Sequence, residues 1–289
     1  MRTGGTFAGV ALGSLVALAA LIGGLWWRAR PTAGAAPVRP LIVYAAPTSR
    51  LPLEAVAADY ERDTGQSVEL RFGPSEDVLT KVRFPAPAEP ADLFVPADDS
   101  YVQQARELGL VSESVRVARI RAVVLLAKNN PKALATWADL LRAGVVVAVP
   151  NPGAAVGKLA RAHLIETRRW PALEPHVVDT GTVTAAANAT RLGSADAAIV
   201  WDAVAAAPAY RGQVVLALPE LEGVIGRVEV AALAQARDPG AARRFARYVA
   251  DPEHGLERFR AFGFRVEEPA GGIVPRVRAE LARPGGAHP

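Results

Sequence analysis

The chain has 289 residues, of which 51% are hydrophobic and 21% charged. That composition excludes a disordered chain and supplies enough apolar material for one large domain or two small ones. The formal charge is +4, but the Lys and Arg residues are scattered and not interleaved with aromatics, so no nucleic-acid-binding face is expected. Cysteine is absent, which removes disulfides, thiolate metal sites, Cys nucleophiles and a lipid-modified cysteine anchor together. His163, His176, His254 and His288 show no i, i+4 spacing, so a histidine zinc site is not expected either.

In chain order, the first feature is the uncharged run Thr6 to Trp27, followed by Trp26-Trp27-Arg28-Ala29-Arg30. A run of this length can cross a hydrocarbon core of ~30 Å as a helix, and paired Trp followed by Arg suits a membrane–water interface. The rival reading is a cleavable signal peptide, with small residues at 32–36 as the cutting site. Its apolar region is usually ~7–15 residues, so the length favours an uncleaved anchor over residues 1–30. Either way the rest of the chain is expected to be exported. Residues 31–40, rich in Ala and Pro, read as a linker.

Alternating elements begin at residue 41. Short apolar or alternating runs at 41–44, 68–72 and 93–95 predict strands, and later strands are expected at 122–127, 145–149, 197–200, 214–218 and 227–232. Helical periodicity is expected over 48–63, where Leu53, Val56, Ala57 and Tyr60 share one face. Further helices are expected over 77–82, 100–108, 137–142, 158–167, 183–192, 241–249 and 254–262. Gly65, Gly109, Gly144 and Gly193 supply stop signals. Strands alternating with helices predict an α/β class with mostly parallel sheets. Residues 269–289, rich in Gly, Pro and Arg, read as a loose tail.

Several chemistries are set aside on the residues. Gly153-Ala154-Ala155-Val156-Gly157-Lys158-Leu159 looks like a phosphate loop but is one residue short, with Leu where a Mg²⁺-holding Ser or Thr is needed. No G-x-S-x-G elbow is present. Asp92, Asp98 and Asp99 lack a companion base or nucleophile and read as solvated or capping carboxylates.

What the chain does offer is helix starts. The first N–H groups of a helix are unpaired and lie at the positive end of the helix dipole, so they can hold a small anion without Arg or Lys. Thr48 and Ser49 open the first helix, Ser75 the second, Val156 and Gly157 one further on, and Val183 another after Gly181-Thr182. Ser and Thr at such positions are otherwise ordinary caps.

Four ordered stretches carry a family resemblance. They are Val43-Tyr44-Ala45-Ala46-Pro47-Thr48-Ser49, Phe72-Gly73-Pro74-Ser75, Pro90-Ala91-Asp92-Leu93-Phe94-Val95-Pro96-Ala97-Asp98, and Phe262-Gly263-Phe264 after Asp251-Pro252-Glu253. With the strand 123–127, their order and spacing over residues 41–266 resemble the molybdate-binding (ModA-type) periplasmic solute-binding family of ABC importers. The resemblance implies a two-lobed periplasmic-binding-protein-like α/β fold with crossing hinge strands. One lobe would be 41–121 plus 224–268, the other 122–223, with ligand between them. It implies that Thr48, Ser75, Val156, Val183 and Trp201 occupy the anion-contacting positions, Val156 and Val183 through backbone N–H. It implies a monomer that hands a tetrahedral oxyanion, molybdate or tungstate, to permease and ATPase subunits, with no cofactor and no catalysis.

Two departures stand out. The family has Tyr where this chain has Trp201, which keeps an N–H donor, loses the hydroxyl and is larger. Glu76 and Asp77 follow Ser75 and would repel a dianion unless they point away. Two other readings therefore stay open. One is a binding protein of this fold for another solute: sulfate, phosphate, or a metal ion held by Glu76, Asp77 and Asp202. The other is an enzyme on the same fold.

Overall fold

In a computed structural model the described residues are 39–86 and 90–267. The expected anchor over 1–30, nearly all of the linker and the tail at 269–289 lie outside them.

The chain opens with β1 (Leu41–Ala45), buried at all five positions, and a 3₁₀ turn over Pro47–Ser49. Helix α1 (Arg50–Thr64) follows, with Leu53, Val56, Ala57 and Tyr60 on its buried face; Gly65 ends it at φ 74°. A left-handed residue is nearly free of cost only for glycine, which is why the helix stops there. Next come β2 (Val68–Phe72), α2 (Ser75–Arg83), β3 (Leu93–Val95) and α3 (Asp99–Glu107). The long β4 (Val111–Leu126) leads to α4 (Trp137–Leu140), β5 (Val147–Pro150), α5 (Ala155–Glu166), α6 (Trp170–Leu173) and β6 (Val177–Thr180). Then follow α7 (Val183–Leu192), β7 (Ala197–Trp201), α8 (Asp202–Ala205), β8 (Val215–Leu216) and β9 (Ile225–Leu233). The last elements are α9 (Pro239–Val249), α10 (Gly255–Ala261) and β10 (Arg265–Val266).

The sheet runs β2-β1-β3-β9-β4-β7-β5-β6, with β8 and β10 also on β4. It has two halves. In the first, β2, β1 and β3 are parallel and β9 runs antiparallel to β3 and to residues 111–121 of β4. In the second, β7, β5 and β6 are parallel, and residues 122–126 of β4 run antiparallel to β7. The halves form two lobes, and β4 passes between them without a loop.

A mostly parallel sheet is therefore corrected to a mixed one: the crossing strands β4 and β9 enter antiparallel. The residue 111–121 part of β4, unforeseen in the sequence, carries two register shifts against β9, between Val111 and Glu113 and between Arg116 and Ala118. Each bulge interrupts the two-residue alternation that marks a strand. Several helices start earlier than their periodicity suggests. Helix α5 begins at Ala155, where Ala154 offers no side-chain cap to read, and α9 begins at Pro239, capped by Asp238 accepting from the Ala241 N–H.

Buried Asp92 accepts from Ile42 N–H and Arg237 N–H, both at 2.9 Å, tying the entry of β3 to two other segments. Asp98 accepts from Ser100 N–H as the cap of α3. The two carboxylates are thus occupied in holding backbone.

Candidate functional site

Parallel strands end where crossovers begin, so the carboxyl ends of a lobe's strands face the same way and carry its helix starts. Here the loops after β1, β2 and β3 and those after β5, β6 and β7 converge on one cleft of ≈ 240 Å³. The first lobe lines it with Ala46, Pro47, Thr48, Pro74, Ser75 and Ala97; the second lines it with Ala154, Ala155, Val156, Thr182, Val183 and Trp201. No side chain lining it is ionisable.

The polar groups are specific. Ser75 is 1% exposed, and its Oγ accepts from the Ala97 N–H at 3.3 Å. With that lone pair used, the hydroxyl proton remains to be donated. Thr48, on the 3₁₀ turn after β1, is buried and brings a second hydroxyl. Each helix start adds amides: the first bond inside α2 is Val78 N–H to Pro74 C=O, inside α5 Lys158 N–H to Ala154 C=O, and inside α7 Ala186 N–H to Thr182 C=O. The amides of Ser75, Val156 and Val183 precede those bonds. Thr182 Oγ1 likewise accepts, from the Ala185 N–H as the cap of α7, which leaves a third hydroxyl proton at the cleft.

Five of the seven residues singled out in the sequence thus meet at the cleft: Thr48, Ser75, Val156, Val183 and Trp201. Ser49 and Gly157 do not line it. Ser49 is fully buried, and its hydroxyl has no hydrogen-bond partner. Gly157 serves packing, since a Cβ there would sit 2.1 Å from the Pro150 carbonyl oxygen. The sequence reading missed the Ala and Pro walls, which shape the cleft without any chemical signature. It missed Thr182 as well, which a cap signal before α7 could have flagged.

Trp201 ends β7 and is 1% exposed. A Cβ on Gly226 would lie 2.7 Å from the Ala97 oxygen and 3.0 Å from the Trp201 ring, so the crossing strand β9 needs glycine there to leave room for the indole. Glu76 and Asp77 are exposed and do not line the cleft.

Charged groups sit one layer out. Burial raises the Asp202 pKa, opposed by hydrogen bonds from the Arg121 and Ala203 N–H groups. Burial also raises the Tyr101 phenol, with Glu76 and Asp98 adding to it. Among the described residues no group of three His, Asp or Glu side chains is placed to hold a metal ion.

A larger cavity of ≈ 620 Å³ shares Pro47 and Thr48 with the cleft. Its other walls include Leu51, Pro52, Val204, Tyr210, Phe262 and Phe264, and its one cation, Arg50, already pairs with Glu54 at 3.3 Å and covers the Phe72 ring. This cavity is the larger and is walled mostly by apolar side chains; the smaller cleft is the one with convergent amides and hydroxyls.

A two-lobed α/β receptor with a neutral, donor-lined cleft is what the fold and site define. Residues 41–265 match the family model of bacterial extracellular solute-binding proteins, and the chain belongs to that family. Molybdate-binding protein ModA of Mycobacterium tuberculosis is 29% identical over 223 residues, which cover 76% of this chain and 82% of that relative. Two solved structures share the fold. The periplasmic molybdate-binding protein of Azotobacter vinelandii aligns with TM-score 0.66 at 20% identity, over 78% of this chain and 99% of its own. The sulfate-binding protein SubI of Mycobacterium tuberculosis aligns with TM-score 0.66 at 21% identity, over 84% and 90%.

Proposed function

We propose that this protein captures molybdate, or tungstate in its place, outside the cytoplasmic membrane and passes it to the permease and ATPase subunits of an ABC importer. The observation that carries this reading is the meeting of three helix starts and three neutral hydroxyls in a small cleft without ionisable side chains. A tetrahedral dianion is held in such a site by hydrogen bonds and helix dipoles. The relatives named for molybdate support the choice of anion. Thr48 and Ser75 donate hydroxyls; Val156 and Val183 donate backbone N–H; Trp201 closes the floor. The lobes are taken as residues 41–121 with 224–268, and 122–223. The chain works as a monomer, without a cofactor and without catalysis, and the uncharged run at 6–27 tethers it to the membrane.

Titration calorimetry with molybdate, tungstate, sulfate and phosphate tests the reading. Heat with molybdate and tungstate is expected, together with a rise in melting temperature following RT ln(1 + [L]/Kd). Silence toward all four anions, with heat from a ferric or divalent ion, overturns it. Fractionation with intact-mass measurement tests the tether: a soluble product starting near residue 35 overturns it.

A second reading has one specific observation behind it. Trp201 is larger than the Tyr of the resembled family, lines the cleft and leaves no room for a Cβ at Gly226, which would meet its ring at 3.0 Å. Sulfate, a smaller tetrahedral dianion, is then the preferred ligand. The same titration decides by the order of affinities.

A further inference from the structure

The phosphate-loop look-alike of the sequence contains Lys158, which lies on α5 of the second lobe and does not line the cleft. Its ammonium crosses to the first lobe. Nζ donates to Ser100 Oγ at 2.9 Å and stands 3.9 Å from the centroid of the Tyr101 ring, both on α3. Tyr101 is fully buried, so the ring is a fixed platform. Nearby, a second link joins the lobes: Glu76 N–H at the start of α2 donates to Gly153 C=O, just before α5, at 3.1 Å. None of these bonds touches the cleft lining directly, yet each exists only while α5 is held against α2 and α3.

We propose that Lys158 is a positioning residue that latches the two lobes shut over the bound solute. The inference rests on the solute-binding reading above, but its geometry does not depend on which anion is bound. Opening about the crossing strands would separate Lys158 from Ser100 and Tyr101, and Glu76 from Gly153. It would leave Thr48 and Ser75 on one lobe and Val156 and Val183 on the other. The latch therefore weights the closed arrangement with or without solute, and with solute bound it slows release. It lengthens residence and does not speed encounter. A hydroxyl hydrogen bond from a cation and a cation–π contact together correspond to about a five- to thirtyfold change in a rate constant.

The test uses the full chain and stopped-flow molybdate binding read by tryptophan fluorescence. Lys158→Met is expected to raise the dissociation rate about five- to thirtyfold and Ser100→Ala, which keeps the cation–π contact, by less, with the association rate of both within about twofold of the parent. Lys158→Arg, which keeps a cation able to reach Ser100 and the ring, is expected to restore most of the residence time. If Lys158→Met instead slows association, leaves dissociation alone and loses its effect in salt, the residue works as a distant charge and the latch is wrong. An unchanged dissociation rate in Lys158→Met also overturns it.

Failure of the molybdate reading is told apart by a ligand-free measurement. The chain has no cysteine, so Thr80→Cys and Glu166→Cys place one spin label on each lobe. Both positions are exposed. In that background Lys158→Met is expected to broaden the interlobe distance distribution toward longer distances without any anion. An unchanged distribution overturns the latch, even where the parent binds no molybdate at all.

Discussion

The two walls of the cleft are built alike and equipped differently. Both consist of loops leaving parallel strands, and both end in helix starts. The first wall presents hydroxyls, Thr48 and Ser75, the latter held by the Ala97 N–H. The second presents Val156 and Val183, whose side chains are buried in apolar packing and whose only polar offering is backbone. One wall can be edited by deleting an oxygen. The other, apart from the Thr182 hydroxyl and the Trp201 indole, can be edited only by moving a helix.

The largest effect should come from moving that helix. Gly157→Ala forces a Cβ to 2.1 Å from the Pro150 oxygen and 2.3 Å from the Asn151 oxygen, so α5 must shift. A stability loss of about 3 kcal/mol in urea unfolding is expected, with loss of anion binding in whatever fraction still folds. Normal stability and normal affinity would show that the amides of α5 are not held where the site needs them.

Next comes the hydroxyl wall. A hydrogen bond to a charged group is worth roughly 1.5–3 kcal/mol, so Ser75→Ala and Thr48→Ala should each weaken molybdate binding about ten- to a hundredfold by calorimetry. The ligand-free melting temperature should move little. If both variants bind like the parent, the hydroxyls do not hold the anion and the contrast between the walls disappears. On the second wall, Val183→Ala keeps the N–H and should change affinity less than about threefold while costing about 1 kcal/mol or more of packing. A hundredfold loss there would mean that the apolar side chain touches the ligand.

The contrast also predicts what protons do. Because no ionisable side chain lines the cleft, molybdate affinity should be flat from pH 6 to 9. A titration in that range would point to a charged contact missing from the present site.

The smallest effect lies far from the walls. Hydrogen bonding from Arg258, then from Arg62, holds the Asp59 carboxyl below its usual pKa against the cost of burial, linking α1 to α10. A lowered folded-state pKa gives stability that is present above the unfolded value and lost as pH falls through the folded one. Asp59→Asn should therefore be less stable than the parent at pH 7 by about 0.5 kcal/mol, the figure discounted for the exposure of both arginines. The gap should close below about pH 4.

What the sequence could disclose follows from which signals are local. Helix stops at Gly65 and Gly193 were legible because a left-handed residue leaves a glycine behind. Thr48, Ser75, Val156, Val183 and Trp201 could be singled out because helix starts are local and the family order strings them together. That Ser49 turns away while Thr48 turns in depends on the 3₁₀ turn after Pro47, one residue of rotation that no periodicity records. Pro74 and Ala97 were not singled out because one contributes shape and the other a backbone N–H to Ser75, neither of which a side chain announces. The reach of Lys158 to Ser100 spans 58 residues and two lobes, and nothing in either neighbourhood announces the other.

The strand β4 carries a last consequence. Its sixteen residues belong to both halves of the sheet without a break, pairing with β9 along residues 111–121 and with β7 along residues 122–126. A receptor whose lobes hang on a loop can lose one of them to heat or a protease and keep the other. Here the melting of either half exposes the edge of a strand that the other half needs. The two halves should melt together in a single calorimetric peak whose van't Hoff enthalpy equals the measured heat.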